Sequence, residues 1–182
     1  MVVATQLLTG MTVLVDGTPY RVETVTKVAT QKAAPFIKVK LRQLVSGESV
    51  ERNFKPTQAI EEVSLEEHQL EYLYKEATHH VFLDIGSLNL IKVDDRVVGK
   101  KIHYLKEGIE AKGYGTSGMI LSLDLPQFLE LMVAGVGSQS GKEGSVRIAT
   151  LETGAKLEVP QFVDVGDVIK VDTKLEEYIQ RV

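Results

Sequence analysis

The chain has 182 residues, 43% of them hydrophobic and 25% charged, with a formal net charge of −4 and no cysteine. This length holds one domain of ordinary size or several small ones. Without Cys there is no disulfide, thiolate nucleophile or Cys-based zinc site, which fits a reducing compartment, and the acidic balance argues against a general nucleic-acid coat, which would be basic. The opening run MVVATQLLTGMTVLV has no basic n-region and reaches Gly10 and Asp16-Gly17 too early for a signal segment. No window approaches the ~18–20 apolar residues of a membrane span, so the expectation is a cytoplasmic protein with no membrane partner. Thr12–Val15 and Tyr20–Thr26 then flank Asp16-Gly17-Thr18-Pro19, a turn cluster that joins an antiparallel pair.

Two strand-like runs, Tyr20–Val28 and Phe36–Val45, enclose a seven-residue tip from Ala29 to Pro35 whose one charge is Lys32. Its neighbours Thr30, Gln31, Ala33 and Ala34 are small or neutral, so nothing on the tip competes with that ammonium. A lysine at a hairpin tip ordinarily serves solvation; what the tip does depends on the body that carries it. The following FIKVKLRQLV puts Ile37, Val39 and Leu41 on one face and Lys38, Lys40 and Arg42 on the other, the period-2 pattern of a half-buried strand. Ser46-Gly47-Glu48 is a turn and Ser49–Phe54 a further strand. Four or five short strands within residues 1–63 predict a small barrel.

The acidic Glu61–His68 is read as a connector. Gln69–Lys75, His80–Asp84 and Leu88–Lys92 follow as strands, Asp95–Tyr104 is the best short-helix candidate, and Ile109–Lys112 and Ser117–Leu125 return to strand. Gly113, Gly115 and Gly118 are assigned to turns, and Pro126 to the end of a unit. The last third runs through FLELMVA, GVGSQSGKEG, SVRIATL, AKLEVPQFV, VIKVDT and EEYIQRV, with turns at Glu152–Gly154 and Asp164–Asp167. The expectation is an all-β chain of three small barrels, residues 1–63, 64–126 and 127–182; a single sandwich is the alternative. Charge steps along with them: eight Lys/Arg against six Asp/Glu in the first segment, seven against ten in the second, six against nine in the third. A mildly basic head on two acidic segments suits a visit to a polyanionic particle at one place.

Other chemistry is poorly represented. A strand sends the adjacent His79 and His80 to opposite faces, with no Cys or acidic ligand at metal spacing, so no metal site is assigned. Gly113–Gly118 lacks the Lys-Ser/Thr pair and following helix of a phosphate loop. No carboxylate pair stands out for acid/base work, and no catalytic residue or cofactor is assigned. Phe128–Val133 reads as strand core.

The run from Arg147 to Gly166, RIATLETGAKLEVPQFVDVG, resembles the signature of bacterial translation elongation factor P. Asp167–Thr173 and Glu177–Val182 look like that family's C-terminal end, and the likeness extends through Gln69–Tyr74 and Val50–Lys55 to Gly17–Tyr20. The resemblance implies an SH3/KOW-like N-terminal barrel and two OB-type barrels arranged like the arms of a tRNA, in a monomer. It implies a non-enzymatic factor that binds the ribosome, touching both subunits, beside peptidyl-tRNA and speeds slow peptide bonds, notably between consecutive prolines. Lys32 falls where the family has its functional loop-tip residue, often extended by a lysine-modifying enzyme, and would reach along the CCA end.

Many relatives carry Pro-Gly-Lys-Gly there, whereas this chain has Thr30-Gln31-Lys32-Ala33; the elongation factor P-like paralogue, with a different stalling-motif preference, is therefore an alternative. Lys27, Lys38, Lys40, Arg42 and Lys55 are candidates for contact with the acceptor arm, against an ordinary solvated strand face. Arg147, Tyr178 and Arg181 are candidates for RNA contact, against structural roles. The stretch 135–144 corresponds to the segment that approaches the E-site codon, although the family pattern is not clearly reproduced there. A general single-strand nucleic-acid binder is a further alternative, but aromatics are only 6% and Trp is absent; an enzyme would need a nucleophile–base pair that the chain does not offer.

Overall fold

The computed structural model describes residues 1–139 and 146–182. The chain is almost entirely β: β1 (Val2–Val3), β2 (Thr12–Val15), β3 (Thr18–Val28), β4 (Phe36–Gln43), β5 (Ser49–Phe54), β6 (Ala59–Glu62), β7 (Glu66–Glu76), β8 (His79–Asp84), β9 (Leu90–Asp94), β10 (Glu110–Thr116), β11 (Met119–Asp124), β12 (Phe128–Gln139), β13 (Val146–Leu151), β14 (Lys156–Pro160), β15 (Val168–Asp172) and β16 (Glu177–Arg181). The expected helix at 95–104 is a single α-turn, α1 (Asp95–Val98), continued by a 3-10 segment from Gly99 to Tyr104. Gly99 sits at φ +53 and breaks the α ladder between them.

The strands form three antiparallel sheets, ordered β1-β6-β2-β3-β4-β5, β11-β10-β7-β8-β9 and β14-β13-β12-β15-β16. The three small barrels expected appear as three separate antiparallel β units, although among the described residues the two edge strands of a sheet do not hydrogen-bond to each other. The third comes nearest to closure, with β14 and β16 lying against one another. Its long strand β12 serves both halves, pairing with β15 over Phe128–Met132 and with β13 over Val133–Gln139, the pairing shifting register at Val133/Gly135. A bulge bends a strand, and that bend lets one strand turn the corner between the two halves.

Turn chemistry explains the tight hairpins. Val15 pairs with Thr18 across Asp16 (φ 51) and Gly17 (φ 76), both left-handed as a two-residue I′ turn requires. Thr116 pairs with Met119 across Ser117 (φ 52) and Gly118 (φ 77) in the same way. Gly113 and Gly115, expected in turns, lie instead inside β10. Space is the reason: a Cβ on Gly113 would stand 2.6 Å from Leu70 Cδ1, and one on Gly115 2.1 Å from the Met119 carbonyl oxygen. The expected connector at 61–68 overlaps the end of β6 and the start of β7, so that only residues 63–65 lie between the first and second sheets; Glu61, Glu62, Glu66 and Glu67 are all exposed.

Each sheet wraps its own core. The first holds Val13, Val22, Ile37, Val39, Leu41, Phe54 and Ile60; the second Leu70, Phe82, Val93, Val98, Ala111, Ile120 and Leu123; the third Leu131, Val133, Ala149, Leu151, Val159, Ile169 and Val171. These cores also touch. Tyr104, from the 3-10 segment beside the second sheet, is 4% exposed and belongs to the third core, and half-buried Leu125 packs against both the second and third. Lys106 Nζ donates to Glu152 Oε1 at 2.8 Å across the same junction, and Glu152 also accepts from the Met132 N–H.

Candidate functional site

The longest hairpin, β3–β4, carries the Lys32 tip. Its ladder runs from Tyr20↔Gln43 to Val28↔Phe36, and beyond that last pair residues 29–35 are all exposed. The core ends earlier: Ile37, 2% exposed, is the last buried residue of β4 toward the tip. Lys32 lies five positions before Ile37, so at about 3.3 Å per residue the tip stands at most ~17 Å beyond the packed body. Lys32 makes no hydrogen bond or ion pair among the described residues. The alternation of β4 is the strongest signal in the hairpin, because a one-residue slip would bury Lys38, Lys40 and Arg42.

Those three cations do form one outward row, but it is internally compensated. Lys38 Nζ lies 3.3 Å from Glu51, Lys40 Nζ 3.6 Å from Glu23, and Arg42 Nε donates to Glu23 Oε1 at 2.6 Å. Glu23 also accepts from Ser49 Oγ at 3.2 Å. The Arg42 hydrogen bond, helped by Ser49 and the neighbouring positive charges, holds the Glu23 carboxyl below the usual carboxylate range. Glu23 follows buried Val22 and so faces outward with the row, at the point where the β3–β4 register shifts between Val22 and Thr24; sequence reading did not single it out. Exposed pairs of this kind contribute little to stability, because solvent screens them.

Lys27 and Lys55 do not belong to that row. Lys27 stands opposite Ile37, on the core side of the sheet but past the end of the core, and Lys55 follows the last residue of β5. Both are exposed and without an ion pair among the described residues. Arg52, which sequence reading did not single out, stands opposite Val39 in the edge strand β5; a charge on the core side of an edge strand blocks further strand pairing.

The C-terminal candidates are held by their own sheet. Arg147 donates to the Val163 carbonyl and, at 2.5 Å, to Asp164, fastening β13 to the loop before β15. Tyr178 packs half-buried against the third core. Arg181 lies over the Phe162 ring at 5.1 Å, 3.6 Å from Asp167. Of 135–144, residues 140–144 lie outside the described residues. The second sheet adds an arrangement that sequence reading passed over. His80, fully buried, sits with Nε2 2.6 Å from Asp95 and Nδ1 3.3 Å from the Tyr72 hydroxyl. Burial first, and the Asp95 charge second, push the Tyr72 hydroxyl up. Among the described residues no group of three His, Cys, Asp or Glu could hold a metal ion, and no helix is long and apolar enough to cross a membrane.

Three family models match the chain in the order of the sheets: the elongation factor P KOW-like domain over residues 3–60, the elongation factor P OB domain over 65–118, and the elongation factor P C-terminal domain over 133–181. The chain belongs to the elongation factor P family. Elongation factor P 1 of Protochlamydia amoebophila is 48% identical over 184 residues, and that of Chlamydia trachomatis 42% over 185, each covering 100% of both chains. Elongation factor P of Coprothermobacter proteolyticus is 33% identical at the same coverage. Among solved structures, eukaryotic translation initiation factor 5A from Methanococcus jannaschii superposes with a TM-score of 0.50 at 18% identity, covering 67% of this chain and 94% of its own. A translation initiation factor eIF-5A family protein from Naegleria fowleri gives 0.51 at 13% identity, over 68% and 96%. At such identities the likeness is one of fold. Elongation factor P proteins are translation factors, not enzymes, and this chain functions as one of them.

Proposed function

We propose that this elongation factor binds the ribosome beside peptidyl-tRNA, contacts both subunits, and stimulates slow peptide bonds at consecutive prolines through Lys32. The observation that carries the reading is the lone ammonium, without a partner among the described residues, at the apex of a hairpin whose seven tip residues are all exposed. Such a group can lie along the sugar-phosphate backbone of the CCA end and narrow its motion to productive geometries, supplying no acid or base. In water one such contact is worth only ~1 kcal/mol, and more in a confined, less polar cavity. A covalent extension of Lys32 by a lysine-modifying enzyme would add reach and contacts. Lys27 and Lys55, without an ion pair among the described residues, are the stronger candidates for the acceptor arm; Lys38, Lys40 and Arg42 would first have to exchange Glu51 and Glu23 for phosphate.

Residues 1–63, 64–126 and 127–182 act as three domains of a monomer with the tRNA-like L shape, working in the cytoplasm where ribosomes translate. The test is in vitro translation of a Pro-Pro-Pro template. Lys32→Ala leaves ribosome binding intact and abolishes the rescue; unchanged rescue rejects the role of Lys32. A second reading, the paralogue with a different motif preference, is favoured by the tip Thr30-Gln31-Lys32-Ala33, which lacks flanking glycines. It predicts rescue of stalling motifs other than Pro-Pro-Pro by the wild-type chain.

A further inference from the structure

The second and third segments each carry a net −3, yet four of their lysines line one cleft of about 480 Å³ at the junction of their sheets. Lys100 and Lys101 come from the 3-10 segment, Lys112 from β10 and Lys174 from the β15–β16 turn. Lys112 is 3.3 Å from Glu67, whereas Lys100, Lys101 and Lys174 have no ion pair among the described residues. Asp124 and Glu176 also line the cleft, leaving the ammonium groups in excess by two. Lys100, Lys101 and Lys174, brought to one cleft without an ion pair among the described residues, repel one another, and an anion held among them would relieve that repulsion; the Asp172 carboxylate, which feels the Lys174 charge, offsets part of it.

The walls are fixed before anything binds. Tyr104, on one side of the cleft, is buried in the third core, Leu125 packs both cores, and Lys106–Glu152 ties the two sheets nearby. The turn that carries Lys174 is held by Asp172, whose Oδ1 accepts from the N–H groups of Lys174 (2.8 Å) and Leu175 (2.9 Å). The lysines therefore converge without the cost of ordering two mobile bodies.

The geometry points to this cleft as a binding site for the phosphate backbone of folded RNA, separate from the Lys32 hairpin. The inference deepens the proposed ribosome-binding function and rests on it for its biological partner. The cleft is open to solvent and lined by two more lysines than carboxylates, a charge balance that favours a phosphate backbone. Lysine suits this role as a point charge that neutralises phosphate without reading bases.

The test compares the full chain with its triple variant Lys100→Gln/Lys101→Gln/Lys174→Gln by fluorescence anisotropy on a labelled RNA hairpin of about 20 nucleotides over a salt series, and by co-sedimentation with ribosomes. The variant is expected to lose at least tenfold in affinity in both assays, with the slope of log K against log salt reduced by about 2–3, close to one per phosphate contact removed. Its melting temperature should be unchanged, because all three side chains project into the open cleft. Unchanged hairpin affinity and slope overturn the inference. Weakened ribosome binding with unchanged hairpin binding also overturns it, since that outcome assigns the cleft to a ribosomal protein. Hairpin binding needs no translation, so its failure leaves the role of Lys32 standing, and a failure of Lys32→Ala in the Pro-Pro-Pro assay leaves the hairpin result intact.

Discussion

Replacing Tyr104 by Ala tests whether the second and third sheets are packed as one unit. The ring is 4% exposed and lies among Leu131, Leu151, Ala155 and their neighbours in the third core, although Tyr104 belongs in sequence to the second segment. A tyrosine buries on the order of 200 Å², which at about 25 cal/mol per Å² is worth ~5 kcal/mol. The unfolded chain already hides part of that surface and alanine keeps the Cβ, so the expected loss is about 3–4 kcal/mol, within the range of large aromatic-to-Ala substitutions. A chain this size loses about 2–4 °C per kcal/mol, so the transition that reports the third sheet should fall by roughly 6–16 °C in scanning calorimetry. Tyr104→Phe should stay within about 1 kcal/mol, because no hydrogen bond holds the hydroxyl among the described residues. A loss below about 1 kcal/mol for Tyr104→Ala would refute the packing of this ring and with it the preformed junction.

Gly115→Ala should destabilise the second sheet by more than about 2 kcal/mol, because the new Cβ would lie 2.1 Å from a backbone oxygen at the β10–β11 bulge and no side chain can yield; urea titration followed by circular dichroism measures it. The Asp84 carboxyl is held below its ordinary value first by the His68 hydrogen bond (2.8 Å), then by the N–H groups of Ser87 and Gly86. A carboxyl whose folded pKa is lowered contributes stability that is fully present above its unfolded value, about 3.9, and is lost as pH falls through the lower folded value. Asp84→Asn should therefore flatten the acid limb of the stability–pH curve below about pH 4, measured as the melting temperature between about pH 2 and 7.

Much of the molecule was legible in its sequence because strands and tight turns are local. The period-2 pattern of FIKVKLRQ, the Asp16-Gly17 turn, Ser49–Phe54 and the tip from Ala29 to Pro35 all coincide with the observed elements. Lys32 was visible for the same reason: a charge between two strands has to lie at the turn that joins them. Local patterns failed where a residue answers to something distant. Gly113 and Gly115 look like turn glycines until Leu70 and Met119 are seen against them.

What the order of residues determined alone was therefore the all-β character, the succession of hairpins and the solitary amine at one apex, since each depends on neighbours a few positions apart. Folding in three dimensions decided which charges remain available. It turned Glu23 onto the row of Lys38, Lys40 and Arg42, spent Arg147 and Arg181 on Asp164 and Asp167, and gathered Lys100, Lys101, Lys112 and Lys174 around one cleft. A charge's availability depends on what lies within a few ångströms of it, and most of those neighbours are supplied by strands far away along the chain.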